Sequence, residues 1–283
     1  MAVDLINYLS SGEGSPRLWV NFNEYAKTLL LGNDSNPWIT PASYLAYYTQ
    51  AHSLVKADVV VLDIWDLFHH WMEEDASAVS SMAEKTRATF ALKTLLEAYA
   101  PRELLAEVLT AVDNNYGNSA PIVLVIPSPR TLLVRAHKRA TGNDLQPDEM
   151  AIDTASMYMA DFLRYFSETN LSGILLVEDP SFMPESTEEI SWYQPVLNVA
   201  KHYRWSVGLQ LPFLDGGFSA PVEIDFTIIP EQSVASAESL GVDISQSLWT
   251  NGGTQESKGF LYLSIPADVN PEKVLETLSS LKM

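Results

Sequence analysis

The chain has no cysteine among its 283 residues. That removes disulfides, thiolate nucleophiles and every thiolate-held metal from consideration. Basic residues are also scarce, since 17 Lys and Arg stand against 36 Asp and Glu for a net charge of -19. A surface of that sign repels phosphate backbones and anionic bilayers, so neither nucleic acid nor membrane is an expected partner. No apolar run reaches the roughly 18 residues needed to span a bilayer, and Met-Ala-Val-Asp-Leu-Ile-Asn-Tyr at the start has no basic n-region. A soluble, cytoplasmic protein is the expectation. The G-x-S-x-G, G-x-x-x-x-G-K-[ST], G-x-G-x-x-G and H-E-x-x-H patterns are missing too, which leaves serine-hydrolase, NTPase, Rossmann and zincin readings without support.

What is present is a core. Hydrophobic residues make up 47% of the chain, enough to fill one large α/β domain, and a single domain over 1–283 is the simplest organisation. Short apolar runs at 17–22, 58–64, 121–127, 173–178, 206–212, 224–229 and 259–265 read as buried strands, with an eighth expected near 240–249. Between them 41–56, 84–98, 101–113, 148–168 and 188–203 read as helices, the first opened by a Thr40 N-cap and Pro41. Alternation of this kind predicts a parallel sheet, and eight units in this length fit a TIM-type (β/α)8 barrel; a doubly wound sheet would give much the same period. Gly216-Gly217 and the polar 231–258 stretch read as long loops.

In a barrel the C-terminal strand ends converge on one face, and polar groups there are the first candidates for chemistry. They are Asn21 and Asn23 after the first strand, Asp63, Asp66, His69 and His70 after the second, Ser128 and Arg130 after the third, Glu178 and Asp179 after the fourth, and Gln210 and Asp215 near the fifth. Asp63 closes the run Asp-Val-Val-Val-Leu-Asp. It can act as an acid or base of shifted pKa, or it can cap the following helix. Asp66, His69 and His70 share a face if that helix forms, a spacing that suits a divalent metal and equally suits a solvated helix face; no metal is assigned. Of the adjacent pair Glu178-Asp179 only one can face the pocket, and Glu178 is preferred. Arg130 is the candidate clamp for an anionic group, whereas Arg135 goes with the basic last turns of a helix that Gly142 ends. Tyr44, Tyr47, Tyr48 and His52 form one helix face that reads as core packing rather than an aromatic cage.

Three segments together resemble the uroporphyrinogen decarboxylase family. Leu54-Val-Lys-Ala-Asp-Val-Val-Val-Leu-Asp-Ile is similar to the segment in which a family strand ends in Ser-Asp-Ile, with Asp63 on the family's catalytic aspartate. Pro127-Ser-Pro-Arg-Thr-Leu-Leu resembles its Gly-x-Pro-x-Thr-Leu motif, and Ile265-Pro-Ala-Asp-Val-Asn-Pro-Glu-Lys-Val its closing Asp-x-x-Pro-Glu-x-Val loop and helix. The resemblance implies a uroporphyrinogen decarboxylase-like barrel in a superfamily that also holds cobalamin-linked methyltransferases and cobalamin-independent methionine synthase. Departures are informative. The family's arginine-bearing Met-Arg-Gln-Ala-Gly-Arg falls near Asn21-Phe-Asn-Glu-Tyr25, its tyrosine after Thr-Leu falls on Arg135 and its late histidine on Leu263, so the porphyrinogen-binding cations are missing. The zinc of the methyltransferase branch is held partly by Cys, which this chain lacks.

The resulting expectation is a divergent lyase or decarboxylase acting on a small anionic organic substrate without an organic cofactor. Asp63 would hold or protonate the reacting centre with His69 or Glu178 assisting, while Arg130, Asn21, Asn23 and Trp65 bind substrate. Two alternatives stand beside it: a methyltransferase working with a corrinoid or other methyl-carrying partner, and a non-catalytic binding or accessory protein on the same barrel. A homodimer is compatible with either enzyme reading.

Overall fold

The computed structural model describes residues 2–12, 15–32, 36–184, 186–213, 223–232, 240–251 and 259–281. Its eight strands are β1 (Leu18–Asn21), β2 (Val60–Asp63), β3 (Ile122–Pro127), β4 (Gly173–Val177), β5 (Ser206–Gln210), β6 (Phe226–Pro230), β7 (Leu240–Asp243) and β8 (Phe260–Ser264). They lie in the order β1-β8-β7-β6-β5-β4-β3-β2, with every neighbouring pair parallel. This is an α/β barrel of the TIM type, nearly closed, and all seven strand runs read from the sequence plus the eighth are present.

The helices are α1 (Leu5–Ser10), α2 (Asn23–Leu30), α3 (Pro41–Val55), α4 (Ile64–Glu74), α5 (Ala76–Met82), α6 (Phe90–Glu97), α7 (Tyr99–Tyr116), α8 (Pro129–Thr141), α9 (Glu149–Arg164), α10 (Gln194–Tyr203), α11 (Ser245–Asn251) and α12 (Pro271–Leu281). Thr40 caps α3 as expected, accepting a hydrogen bond from Ser43 N–H at 3.1 Å, and Gly142 ends α8 with φ of 75°. Helix α6 starts at Phe90 rather than near residue 84, because Glu84, Lys85, Thr86 and Arg87 are exposed and have no apolar side to bury. No described helix is long and apolar enough to cross a membrane.

Strand alternation divides the core in two. Val60, Leu62, Leu124, Ile174, Leu176 and Leu209 face the helices, while Trp19, Val123, Leu175, Phe226, Ile228, Phe260 and Tyr262 fill the barrel. Helix α1 was not foreseen. Asp4 caps it through Asn7 N–H at 3.0 Å, and its Leu5 and Leu9 join the interior cluster, closing the N-terminal end of the barrel. Three aromatic rings fit inside because two strand positions are glycine: a Cβ on Gly208 would lie 2.2 Å from the Phe226 ring, and one on Gly241 would lie 2.3 Å from Phe260. Phe226 cannot yield easily, with Trp19 and Phe260 centroids 5.8 and 5.7 Å away. Gly208→Ala is therefore expected to destabilise by about 2–3 kcal/mol through overpacking, seen as a lowered urea midpoint; a change below about 0.5 kcal/mol would show that the interior has slack.

The seam between β1 and β2 shapes the site. Near its base Asp58 N–H donates to Leu18 O at 3.2 Å and Leu18 N–H donates to the Asp58 carboxylate at 2.7 Å. Higher up, Val61 N–H donates to the Tyr48 hydroxyl at 3.0 Å. An exposed strand edge leaves donors that need partners, and a side chain of α3 supplies one here.

Candidate active site

A cavity of about 350 Å³ opens at the C-terminal ends of the strands. Inward side chains Asn21, Asp63, Gln210, Asp243 and Ser264 ring it, Trp19 and Tyr262 lie deeper, Tyr44, Tyr47 and Tyr48 reach it along the seam, and Trp65 and Arg135 come from α4 and α8. Asp63, Asn21, Asn23 and Trp65 are thus brought together, as expected for the strand ends of a barrel.

Asp63 caps the helix that follows it, one of the two roles weighed from the sequence, and it also stands in the cavity. Its Oδ1 caps α4 by accepting from Trp65 N–H at 2.9 Å and Asp66 N–H at 3.2 Å, and the same residue lines the cavity. Among the described residues Oδ2 has no hydrogen-bond partner. Withdrawal from water, followed by repulsion from Asp66, pushes its carboxyl up to about 6, against the pull of two backbone N–H groups and Lys27. Among the described residues, Asp66 on α4, Lys27 on α2, Tyr44 on α3 and Tyr262 on β8 are ionisable groups that interact with it.

A raised carboxyl pKa means that the folded state holds the proton more tightly than the unfolded chain. Between the unfolded value near 4 and the folded value near 6, stability falls as pH rises, and above that the penalty is complete. Asparagine caps helices as well as aspartate does but carries no charge. Asp63→Asn is accordingly expected to be more stable than the parent by about 1–3 kcal/mol above pH 7, with the gap closing toward pH 4. Urea titrations across that range check it, and a gap independent of pH would rule out the buried charge.

Deeper in the barrel, Tyr262 OH accepts from Asn21 Nδ2 at 3.3 Å, and burial and then Asp243 push its phenol up to about 12. Burial also raises Asp243, opposed by the Ser245 hydroxyl and N–H that donate to it. Arg135 is the cation of the described lining. Its guanidinium donates to Asp179 at 3.0 Å and lies over the Trp65 ring, 5.5 Å from the centroid.

Three expected site residues lie elsewhere. Glu178 was expected to face the pocket, but Leu175 and Val177 take the inward positions of β4 and Glu178 points the other way. It is 3% exposed outside the barrel and accepts from Ser128 Oγ at 2.7 Å, Thr131 Oγ1 at 3.2 Å and Tyr193 OH at 2.6 Å. Burial raises its carboxyl while these hydroxyls and Arg130 oppose the shift. Arg130, the expected anion clamp, is also away from the cavity lining, ion-paired with Glu189 and over the Trp192 ring at 5.5 Å. His69 is half-exposed and 3.3 Å from Glu73.

His69 borders a second, polar cavity of about 480 Å³ beside α2 and α4, which Asp63 also lines. There Asp66 accepts from Lys27 Nζ at 2.7 Å and Trp38 Nε1 at 2.8 Å, while His70 Nε2 stands 3.6 Å away. The Lys27 ammonium thus already supplies Asp66 with a positive partner. Among the described residues no group of three His, Cys, Asp or Glu is arranged to hold a metal ion. The zinc that the family resemblance implies does not fit this donor set, since the chain also lacks the Cys it uses.

Sequence reasoning missed Trp19, Tyr262, Asp243 and Arg135 as lining residues. Asp243 ends a strand that was expected and could have been found there. Tyr262 sits within an apolar run, and its signal was the inward alternation Phe260, Tyr262, Ser264. Asp215 lies outside the described residues.

No protein-family model matches the sequence, and no curated relative does either. Among solved structures, a methyltransferase from Methanosarcina mazei superposes with a TM-score of 0.59 at 14% identity, covering 99% of this chain and 97% of that one. At that identity the likeness is one of fold.

Proposed function

We propose that the barrel mouth is a small-molecule active site in which Asp63 transfers a proton. One observation carries this reading: a carboxylate held by two backbone N–H groups at a strand end, lining an aromatic cavity, with a pKa displaced to about 6. An acid or base works best when its pKa lies near the operating pH, and this displacement brings Asp63 toward that range.

The reaction class we favour is methyl transfer. The structural neighbour bears that name, and among the described residues the cavity offers no unpaired cation for an anionic substrate, because its Arg135 is engaged by Asp179, while Arg130, outside the lining, is engaged by Glu189. In such a reaction a methyl group leaves its donor for an acceptor heteroatom, and Asp63 takes the proton which that heteroatom gives up. The donor would be a small molecule or the methyl group of a corrinoid carried by a partner protein. The residues described form a cavity of about 350 Å³, at the small end for ligand pockets, so a macrocycle would present its methyl group from outside it.

A lyase or decarboxylase is the second reading, favoured by the same Asp63: with its carboxyl near 6 a fraction is protonated at neutral pH and can quench a carbanion. A thermal-shift screen with methyl donors, corrinoids, small carboxylates and divalent metals identifies the ligand class, and turnover of Asp63→Asn on the resulting substrate tests the role of the carboxyl. Full activity in that variant would leave a non-catalytic binding protein as the surviving alternative.

A further inference from the structure

The cavity has a charge pattern that the family resemblance did not lead us to expect. Among the described residues two carboxylates line it, Asp63 and Asp243, and neither has a cationic partner at hydrogen-bond distance. The cation of the described lining, Arg135, is already paired with Asp179 and stacked on Trp65. The rest of the described wall holds seven aromatic residues, with Tyr44 and Tyr47 on the seam side set edge to face, 6.2 Å between centroids. Aromatic faces present negative charge, and together with carboxylates that have no cationic partner among the described residues they attract positive charge.

From this we infer that the substrate bound in the barrel mouth is a small organic cation of the alkylammonium class. Asp63 and Asp243 approach it as counter-charges, Tyr44 and Tyr47 contact its alkyl groups, and the amides of Asn21 and Gln210 beside Tyr262 are placed to receive a polar tail. Dianions such as dicarboxylates are disfavoured by the same two carboxylates. The inference rests on the barrel mouth being the working site and adds the chemistry of what enters it.

The test is calorimetric titration of the full chain with choline, with its neutral isostere 3,3-dimethyl-1-butanol, and with succinate. Choline is expected to bind at least tenfold more tightly than the isostere, and succinate not at all. Asp63→Asn and Asp243→Asn are each expected to weaken choline tenfold or more while leaving the isostere unchanged, with melting curves confirming that the variants are folded. Equal binding of choline and isostere, tighter binding of succinate, or no binding of choline at millimolar concentration overturns the inference. The readout is independent of turnover. Choline binding beside an undiminished Asp63→Asn enzyme would remove the proposed catalytic role and keep the cation site, whereas lost turnover without choline binding would do the reverse.

Discussion

Replacing Asp63 with asparagine is expected to lower turnover by about 10²–10⁴-fold while the protein melts no lower than the parent. The magnitude follows from what a positioned acid or base contributes in a transition state. The separation of activity from stability follows from the local structure. Asparagine keeps an oxygen for Trp65 N–H and Asp66 N–H, so α4 keeps its cap, and it removes a charge that the cavity and Asp66 disfavour. Side chains that merely hold the fold cost stability when they are altered, which makes steady-state kinetics beside a melting curve decisive here. Loss of activity matched by a fall in melting temperature would mean that Asp63 serves as a cap and no more. A fall in kcat at unchanged KM would place the carboxyl in the chemical step, and a rise in KM alone would make it a binding group.

Glu178→Ala is expected to show the opposite behaviour, a loss of about 3–5 kcal/mol in stability. Glu178 joins the end of β4 to the start of α8 through Ser128 and Thr131, and to the short 3-10 turn at Thr187–Tyr193 through Tyr193 OH. Truncation removes the shared carboxylate acceptor of three buried hydroxyls and leaves them, as donors, the weaker contacts from Ser128 Oγ to Thr131 Oγ1 at 3.1 Å and from Tyr193 OH to Ser128 Oγ at 3.4 Å. It also removes a negative charge beside Arg130, whose Nε already lacks a partner. At roughly 2 °C per kcal/mol for a chain of this size, the melting temperature should fall by about 6–10 °C. Glu178→Gln keeps one acceptor and the side-chain volume and should cost less than half as much. Normal melting with abolished turnover would instead put Glu178 in the reaction, against its outward position on the strand.

The fold was legible because its signals are local. Strands buried on both faces are apolar at every position, helices between them carry caps such as Thr40 and stops such as Gly142, and neither depends on distant parts of the chain. The resemblance to a barrel family, carried by three short motifs, pointed to the same architecture as the alternation of elements. Asp63 was legible for a related reason: it is the first polar residue after four apolar ones, and both its cap and its place in the cavity follow from being a strand end.

Facing was harder to read. Gly173-Ile-Leu-Leu-Val gives no alternation from which the inward set of β4 can be told, so the choice between Glu178 and Asp179 had no local warrant. Only the register of β4 between β3 and β5 puts Leu175 and Val177 inside and turns Glu178 out. Arg130 and Arg135 pose the same problem on a helix. Arg130 packs against Glu189 and Trp192, and Arg135, read as part of a solvated end, reaches over Trp65 to the cavity. The tyrosines of α3 do pack as core, as their spacing implied, but the open seam beside β2 also makes them a wall of the site.

By itself, then, the sequence determined the class of the fold, the strand and helix order, the exclusion of cysteine chemistry, the acidic composition and the place of Asp63 at a strand end, because composition and short-range periodicity carry all of these. The tertiary structure decided which carboxylates share a cavity, which cations are already spent on Glu189 and Asp179, and where the barrel stays open. Those properties depend on pairings between residues as distant as Asn21 and Tyr262, which come together only when β1 lies beside β8 and the chain closes on itself.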